Sequence, residues 1–463
     1  MLRGISSKKM TRTPELSPVP TAPLNAGCVC ITLDRTAMRT ALAHETGDAA
    51  FYSWLGESRP HLFADVAVFL DAAELDQMQS IVEAIEAVVR HPAYRAAVLG
   101  WAPVSAMRDF GPRGVFMGYD FHLGRNGPAL IEINTNAGGA ILNASLARAQ
   151  RSCCSGAVIP EIMDLAAFDT NVAEMFTREW RHQRESGSPA TIAIVDDRPG
   201  EQYLYPEFLL MQRLLQRHGH EVCISDPSEL EYCDAELRRS GTRIDLVYNR
   251  LTDFSLEQPD HAALRAAYDD GSVVLTPNPH NHALFADKRN LTLLSDSARL
   301  SEWGIDPALV RILSAGVPAT ERITPEGADR FWSNRKQFFF KPSSGYGSRA
   351  AYRGDKLTKT VWQEIYQGDY VAQAYVAPSE RLIEFDGEKQ RRKIDVRLYT
   401  YDGRMLLVAA RLYQGQTTNM RTIGGGFAPV LLTTTDGLSA ACQMCAGRSD
   451  AVVSPPTRMD RRH

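Results

Sequence analysis

The stretch Gly118-Tyr-Asp-Phe-His-Leu-Gly-Arg-Asn-Gly-Pro-Ala-Leu-Ile-Glu-Ile-Asn-Thr-Asn-Ala-Gly-Gly139 constrains this chain more than any other. It reads as two short strands that reverse around Asn126-Gly127, a dipeptide suited to tight hairpin turns. Glu132 and Asn134 are two apart on the second strand and share a face, while Ile131 and Ile133 turn to the other, a core. A two-residue Asn-Gly turn would set Asp120 opposite Ile133, on the wrong face. The spacing therefore predicts an odd-length loop that takes in Pro128, a residue poorly placed inside a ladder. Asp120 then stands beside Glu132 or Asn134. Carboxylate and amide oxygens clustered in this way suit Mg²⁺, which keeps several waters and is shared with substrate phosphates. Taken alone, the same pattern is more often a solvated hairpin with polar residues on its open face.

The rest of the chain must supply the phosphates' other partners. With 463 residues of ordinary globular composition, there is material for about three domains. Net charge is −4 with both signs interspersed, which gives no electrostatic reason to expect nucleic acid or a membrane surface as partner. Met1 to Asn25 is polar and rich in Pro, Ser and Thr without a signal-type apolar core, so residues 1–27 are expected to form a disordered leader. No later apolar run is long enough to span a bilayer, and the expected location is cytoplasmic. Eight cysteines in so long a chain do not make a disulfide framework. Cys28-Val-Cys30 and Cys153-Cys154 lack zinc-type spacing, and Cys442-Gln-Met-Cys445 is a single pair.

In chain order, Cys28 to Leu33 and Phe63 to Leu70 are candidate strands. Asp71 and Glu74 form a capping-box pair ahead of a helix with apolar residues from Leu75 to Val89 at helical spacing, stopped by Pro92. Gly138-Gly139 lead into a helix over Ala140 to Gln150, where the glycines serve either an anion site or only the turn. The polar stretch His182 to Ala190 is a candidate linker. Thr191 to Val195, a helix over Pro206 to His218, and Glu221 to Ile224 make a β-α-β unit. With strands at Ile244 to Tyr248 and Val273 to Leu275, this predicts a small open parallel sheet. Its first loop, Asp196 to Gly200, lacks the glycine pattern of dinucleotide sites. Asp287-Lys288 is read as part of a helix starting at His282. The apolar strand Phe338-Phe-Phe-Lys-Pro342 then runs into Ser343-Ser-Gly-Tyr-Gly-Ser348, a phosphate cradle of close-approaching backbone N–H groups and one ammonium, in non-Walker order. The strand Tyr370 to Val376 and Glu380 follow. A hairpin through Asp402-Gly403 then joins Lys393–Tyr399 to Leu406–Leu412 and places Asp395 and Arg397 on one face. Asn419 to Gly426 is a second glycine-rich loop.

Together these residues resemble the ATP-grasp superfamily. Lys288 and Lys341 look like its two phosphate-contacting lysines, and Gly345, Tyr346, Gly347 and Ser348 like its flexible phosphate loop. Val371 to Val376 is similar to the hinge beside adenine, with Gln373 where many members have Glu and Glu380 at the place of the ribose-contacting acid. Arg397 and Arg411 resemble the arginines near the transferring phosphate. The metal segment, Asp then about a dozen residues then Glu-x-Asn, is missing from the tail and present instead as Asp120, Glu132 and Asn134. The order is thus that of a circularly permuted member, similar to the glutathionylspermidine synthetase group without its amidase-like part. One departure is Gly118, where that group tends to place arginine.

The resemblance implies an α+β and α/β architecture: a permuted ATP-grasp fold with a small open-sheet pre-ATP-grasp domain. Residues 28–180 would carry the metal hairpin, 190–280 the small domain and 281–435 the nucleotide-binding lobes, ahead of a loosely ordered tail over 436–463. It also implies ATP and Mg²⁺ as cofactors, and small-molecule carboxylate and amine or thiol substrates joined through an acyl phosphate. A small-molecule kinase and a nucleotide-holding regulator without turnover are the alternatives. A non-haem iron site on His122, Asp120 and Glu132 is a remote one, because no second histidine is evident.

Overall fold

The computed structural model describes residues 22–124, 126–150, 157–161, 163–345, 350–419 and 421–433. The two sequence halves meet in one large sheet. Its central ladder runs Val68–Asp71, Gly426–Thr433, Arg404–Tyr413, Glu388–Tyr401, Met117–Gly124 and Gly127–Asn134 in spatial order. The N-terminal hairpin therefore lies directly against the C-terminal hairpin, with Asp120 registered opposite Arg397. One face of this sheet is closed by the helix Ala72–Val89, which begins with the expected capping box at Asp71 and Glu74 and buries Leu75, Met78, Ile81, Val82, Ile85, Val88 and Val89. Burying such an apolar stripe against a sheet is the main source of stability in a layered fold.

The small parallel sheet forms as expected, in the order Val274–Thr276, Leu246–Asn249, Thr191–Val195, Glu221–Ser225. Beside it stands an antiparallel ribbon that the sequence pattern hides: Leu230–Cys233, Glu236–Arg239 and Thr242–Arg243. Its strands are short and charged. The signal was in the turns, where Asp234-Ala235 and Ser240-Gly241 all take positive φ, the backbone of two-residue hairpin loops. A third sheet holds Thr320–Arg322, Tyr370–Ala374, Phe338–Pro342 and Tyr352–Arg353. Phe340 and Ala372 bury on one of its faces with Trp362 and Ile365.

Several expectations are corrected. The strand expected over Phe63 to Leu70 is confined to Val68–Asp71, and Cys28 to Leu33 contributes only a bridge from Leu33 to Gln150. Residues 22–27 of the expected leader form a helix, tied down because the Asn25 side chain exchanges two hydrogen bonds with the Phe69 backbone. Residues 1–21, Cys153-Cys154 and the tail with Cys442 and Cys445 lie outside the described residues. The helix Phe168–Arg184 runs into the expected linker, and Gln183 and Arg184 donate to carbonyls of Gly271, Ser272 and Val273, which fixes the junction. Asp287-Lys288 does not sit in a helix but between Pro279–Phe285 and Asn290–Leu294.

Candidate active site

The first hairpin reaches the expected pairing by an unexpected route. Gly124 is registered with Gly127, an even-length reversal, so Pro128 lies within the strand, where it is tolerated because this is the sheet's edge. The register then slips by one between Asp120 and Phe121, so that Phe121 pairs with Leu130 and Asp120 with Glu132. The bulged residue is Ile131. It lines the cleft instead of the core, and Leu130 and Ile133 are buried in its place. A bulge has thus done what an odd loop was expected to do.

The freed Ile131 carbonyl accepts a hydrogen bond from Lys341 Nζ, which also donates to Gln373 Oε1 at 2.8 Å. Lys341, Phe339 and Gln373 share one face of the third sheet, because Phe339 is registered with Gln373 and Lys341 lies two residues on. Burial pushes the Lys341 ammonium down to about 8, with Glu132 acting against the shift. Lys288 Nζ donates to the Gly345 carbonyl at 2.9 Å and lies 3.3 Å from Glu132 Oε1. Both lysines, Glu132 and Gly345 wall a single cleft that opens to solvent. Tyr346, Gly347 and Ser348 lie outside the described residues.

Asp120 is buried at the cleft's floor and is the most heavily engaged group in it. Arg397 grips it as a fork, Nε to Oδ1 at 2.5 Å and Nη2 to Oδ2 at 2.7 Å. Arg411 Nη2 and Asn134 Nδ2 donate to Oδ2 at 2.8 and 3.1 Å. Burial alone would raise this carboxyl's pKa, but the two guanidinium groups hold it well below the usual carboxylate range. Arg411 also donates from Nε to Asp395 Oδ1 at 2.6 Å, and Asp395 Oδ2 accepts from Thr418 at 2.6 Å. Four cations, Lys288, Lys341, Arg397 and Arg411, therefore meet three carboxylates, Asp120, Glu132 and Asp395, and Lys393 stands in the same cleft wall. The surplus is positive, which suits an anionic ligand.

Of the two arginines, Arg411 lines the cleft and Arg397 stands behind Asp120. Val376 lines it too, with its carbonyl accepting from His122 Nδ1 at 2.8 Å. The other ring nitrogen of His122 meets Tyr413 Oη at 3.3 Å, so neither is open to an iron ion. Among the described residues no group of three His, Cys, Asp or Glu is arranged to hold a metal. The Asp120, Glu132 and Asn134 set, counted with its amide, consists of hard oxygen donors of the kind that fits Mg²⁺. Glu380 is exposed, 3.6 Å from Arg391, and is not part of the cleft wall, although Lys393 opposite it is. The helix start at Gly138-Gly139 is occupied by the protein's own carboxylate. The buried Glu207 carboxylate accepts the Gly139 and Ile141 N–H groups at 2.6 and 3.1 Å and fills that helix start itself.

The sequence reading missed Phe339, Tyr375, Tyr413 and Thr418 as lining residues. For Phe339 and Tyr413 the signal was present, since each alternates with a residue already singled out, Lys341 and Arg411.

No protein-family model and no curated protein matches the sequence. Among solved structures, a glutathione synthetase-like effector from Globodera pallida superposes with a TM-score of 0.54 at 11% identity, over 88% of this chain and 100% of its own. A candidate gamma-glutamylcysteine synthetase from Methylobacillus flagellatus KT (TM-score 0.44, 10% identity, 78% of this chain and 87% of that one) carries no argument at that similarity. Nor does the ATP-grasp ligase PsnB (TM-score 0.28, 12% identity, 53% and 90%). The chain has a mixed α/β fold, in the form found in that glutathione synthetase-like protein.

Proposed function

We propose that this protein is an ATP-dependent ligase that joins a carboxylate to an amine or thiol through an acyl phosphate. The observation that carries the proposal is the meeting of Asp120 and Glu132 with Lys288, Lys341 and Arg411 in one cleft, although Asp120 and Arg411 are 291 residues apart. The fold likeness supports the same reading. So does the chain order, in which the hairpin precedes the lysines as in a permuted ATP-grasp protein. Lys288 and Lys341 bind the triphosphate as point charges, and backbone around Gly345 covers it. Asp120, Glu132 and Asn134 would hold Mg²⁺, which when bound supplies charge neutralisation at the phosphate oxygens. A substrate carboxylate attacks the γ-phosphorus, and ADP leaves. Arg411, held in place by Asp120 and Asp395, stabilises charge on the transferred group by preorganised electrostatics. Arg397 keeps Asp120 ionised and oriented. The amine or thiol then displaces phosphate.

The test is incubation of the purified protein with Mg²⁺, ATP and pooled amino acids, read by mass spectrometry. The proposal predicts ADP, phosphate and a product whose mass is that of acid plus nucleophile less water. It also predicts that Glu132→Gln lowers the rate at least a hundredfold with an unchanged circular dichroism spectrum. A phosphorylated product would make the protein a kinase, and tight nucleotide binding without ADP release a regulator.

A further inference from the structure

His122 stands two residues after Asp120 on the same face of the strand Met117–Gly124, and both line the cleft. Its ring reaches two other parts of the chain. Nδ1 lies 2.8 Å from the Val376 carbonyl and Nε2 lies 3.3 Å from Tyr413 Oη. Which ring nitrogen carries the proton is normally an assignment, but here the partner decides it, because a carbonyl oxygen only accepts. Nδ1 is therefore the donor, and Nε2 of the neutral ring accepts from the tyrosine hydroxyl. Burial pushes the imidazole below its ordinary value of 6.5 and Lys341 adds to this, against the pull of the Val376 carbonyl, Asp395 and Asp120. The ring is uncharged at neutral pH.

What His122 holds is a crossover between sheets. Residues 375–378 leave the third sheet after Tyr370–Ala374 and enter the large one at Ser379–Phe385, which pairs with Glu388–Tyr401. The crossover contributes Tyr375, Val376 and Pro378 to the cleft wall. The His122 strand meets it twice more. The Leu123 carbonyl accepts from Ser379 Oγ at 2.6 Å, and the Val376 side chain packs over Gly124, where an added Cβ would lie 3.4 Å from it. From the other side Tyr413, two residues after Arg411 on its strand, buttresses the ring.

We infer that His122 is a positioning residue, the pin that holds the 375–378 crossover against the Asp120 strand and so sets the spacing between the cleft wall at Val376 and the charged groups at Asp120 and Arg411. The inference rests on the nucleotide reading above. One ligand must touch both ends of the cleft at once, so a small shift of the crossover weakens it even when every contact residue is still present. His122 acts through the Val376 carbonyl, and its role is geometric.

Calorimetric titration of the whole protein with ATP in Mg²⁺ separates this role from packing. In His122→Asn the amide nitrogen is as many bonds from the backbone as Nδ1 and keeps a donor for Val376. In His122→Gln the amide stands one bond further out, at the place of Nε2, and leaves that carbonyl without its donor. The Gln variant is expected to bind ATP about tenfold more weakly than wild type, the scale of one lost hydrogen bond, and the Asn variant to stay within about threefold. A packing role predicts the reverse order, because Asn leaves the larger hole. Hydrogen exchange of the peptide spanning 375–379, measured without nucleotide, should quicken in the Gln variant and not in the Asn variant. His122 lines an open cleft, so neither change empties the core, and circular dichroism checks the fold. An equal loss in both variants, or a weaker Asn variant, overturns the inference, as does exchange that does not separate them. If wild-type protein binds no ATP, the nucleotide reading fails, and exchange alone decides whether His122 pins the crossover. If wild-type protein binds ATP and the two variants behave alike, only the inference fails.

Discussion

Asp120 shows what a single buried carboxylate can hold together. It satisfies two guanidinium groups from adjacent strands and the amide of Asn134. Removing one member of such a buried cluster leaves the others uncompensated, at a cost of about 3–5 kcal/mol. Asp120→Asn is therefore expected to lower unfolding free energy in urea by about that amount at pH 7. The pH dependence has a definite sign. The folded carboxyl titrates well below its unfolded value of about 3.9, so its stabilisation is complete above that value and is lost as pH falls toward the folded pKa. The gap between wild type and variant should narrow below about pH 4, and a gap constant from pH 7 to pH 3 would contradict this. Asp120, Glu132, Lys288 and Lys341 could be singled out from the sequence because each sits in a short chemical pattern. The pairing of Asp120 with Arg397 could not, since it depends on which strands become neighbours across 277 residues.

At the scale of the element, the hairpin's alternation was legible but its route was not. The even reversal and the bulge at Ile131 cancel each other, and a period-two pattern cannot tell that combination from an odd loop. Gly118 has a similar local logic. A Cβ there would lie 2.5 Å from the Ala137 Cβ and 3.2 Å from Arg397 Nε, so the space that a longer residue would need is filled by Arg397 itself. Gly118→Ala should cost about 1–3 kcal/mol through overpacking. Pairing it with Ala137→Gly should return much of that, because the closest clash is gone. Urea midpoints of the two single variants and the double variant measure the coupling. Simple additivity of the two costs would show that the contact does not set the residue at 118.

For the whole molecule, the sequence foretold the parallel sheet, the phosphate-side strand and the C-terminal hairpin, because each is a local run with its own period and turn. It could not give the joins. The small parallel sheet is locked to the first hairpin's exit by Arg250 donating to the Asn136 carbonyl at 2.6 Å, by Asn136 donating to Leu251 at 3.1 Å, and by Glu207 at the Gly139 helix start. These are contacts between irregular segments, which leave no periodic trace. Whether residues near positions 120–134 and 288–411 build one nucleotide site is tested by a single calorimetric measurement of Mg²⁺-dependent ATP binding. The comparison is of wild type with Glu132→Gln and Lys341→Met. Each variant is expected to weaken binding at least tenfold, about 1.4 kcal/mol, because both side chains face the same cleft. Wild-type affinity in the Glu132→Gln protein, with Lys341→Met impaired, would place the hairpin outside the site and contradict it.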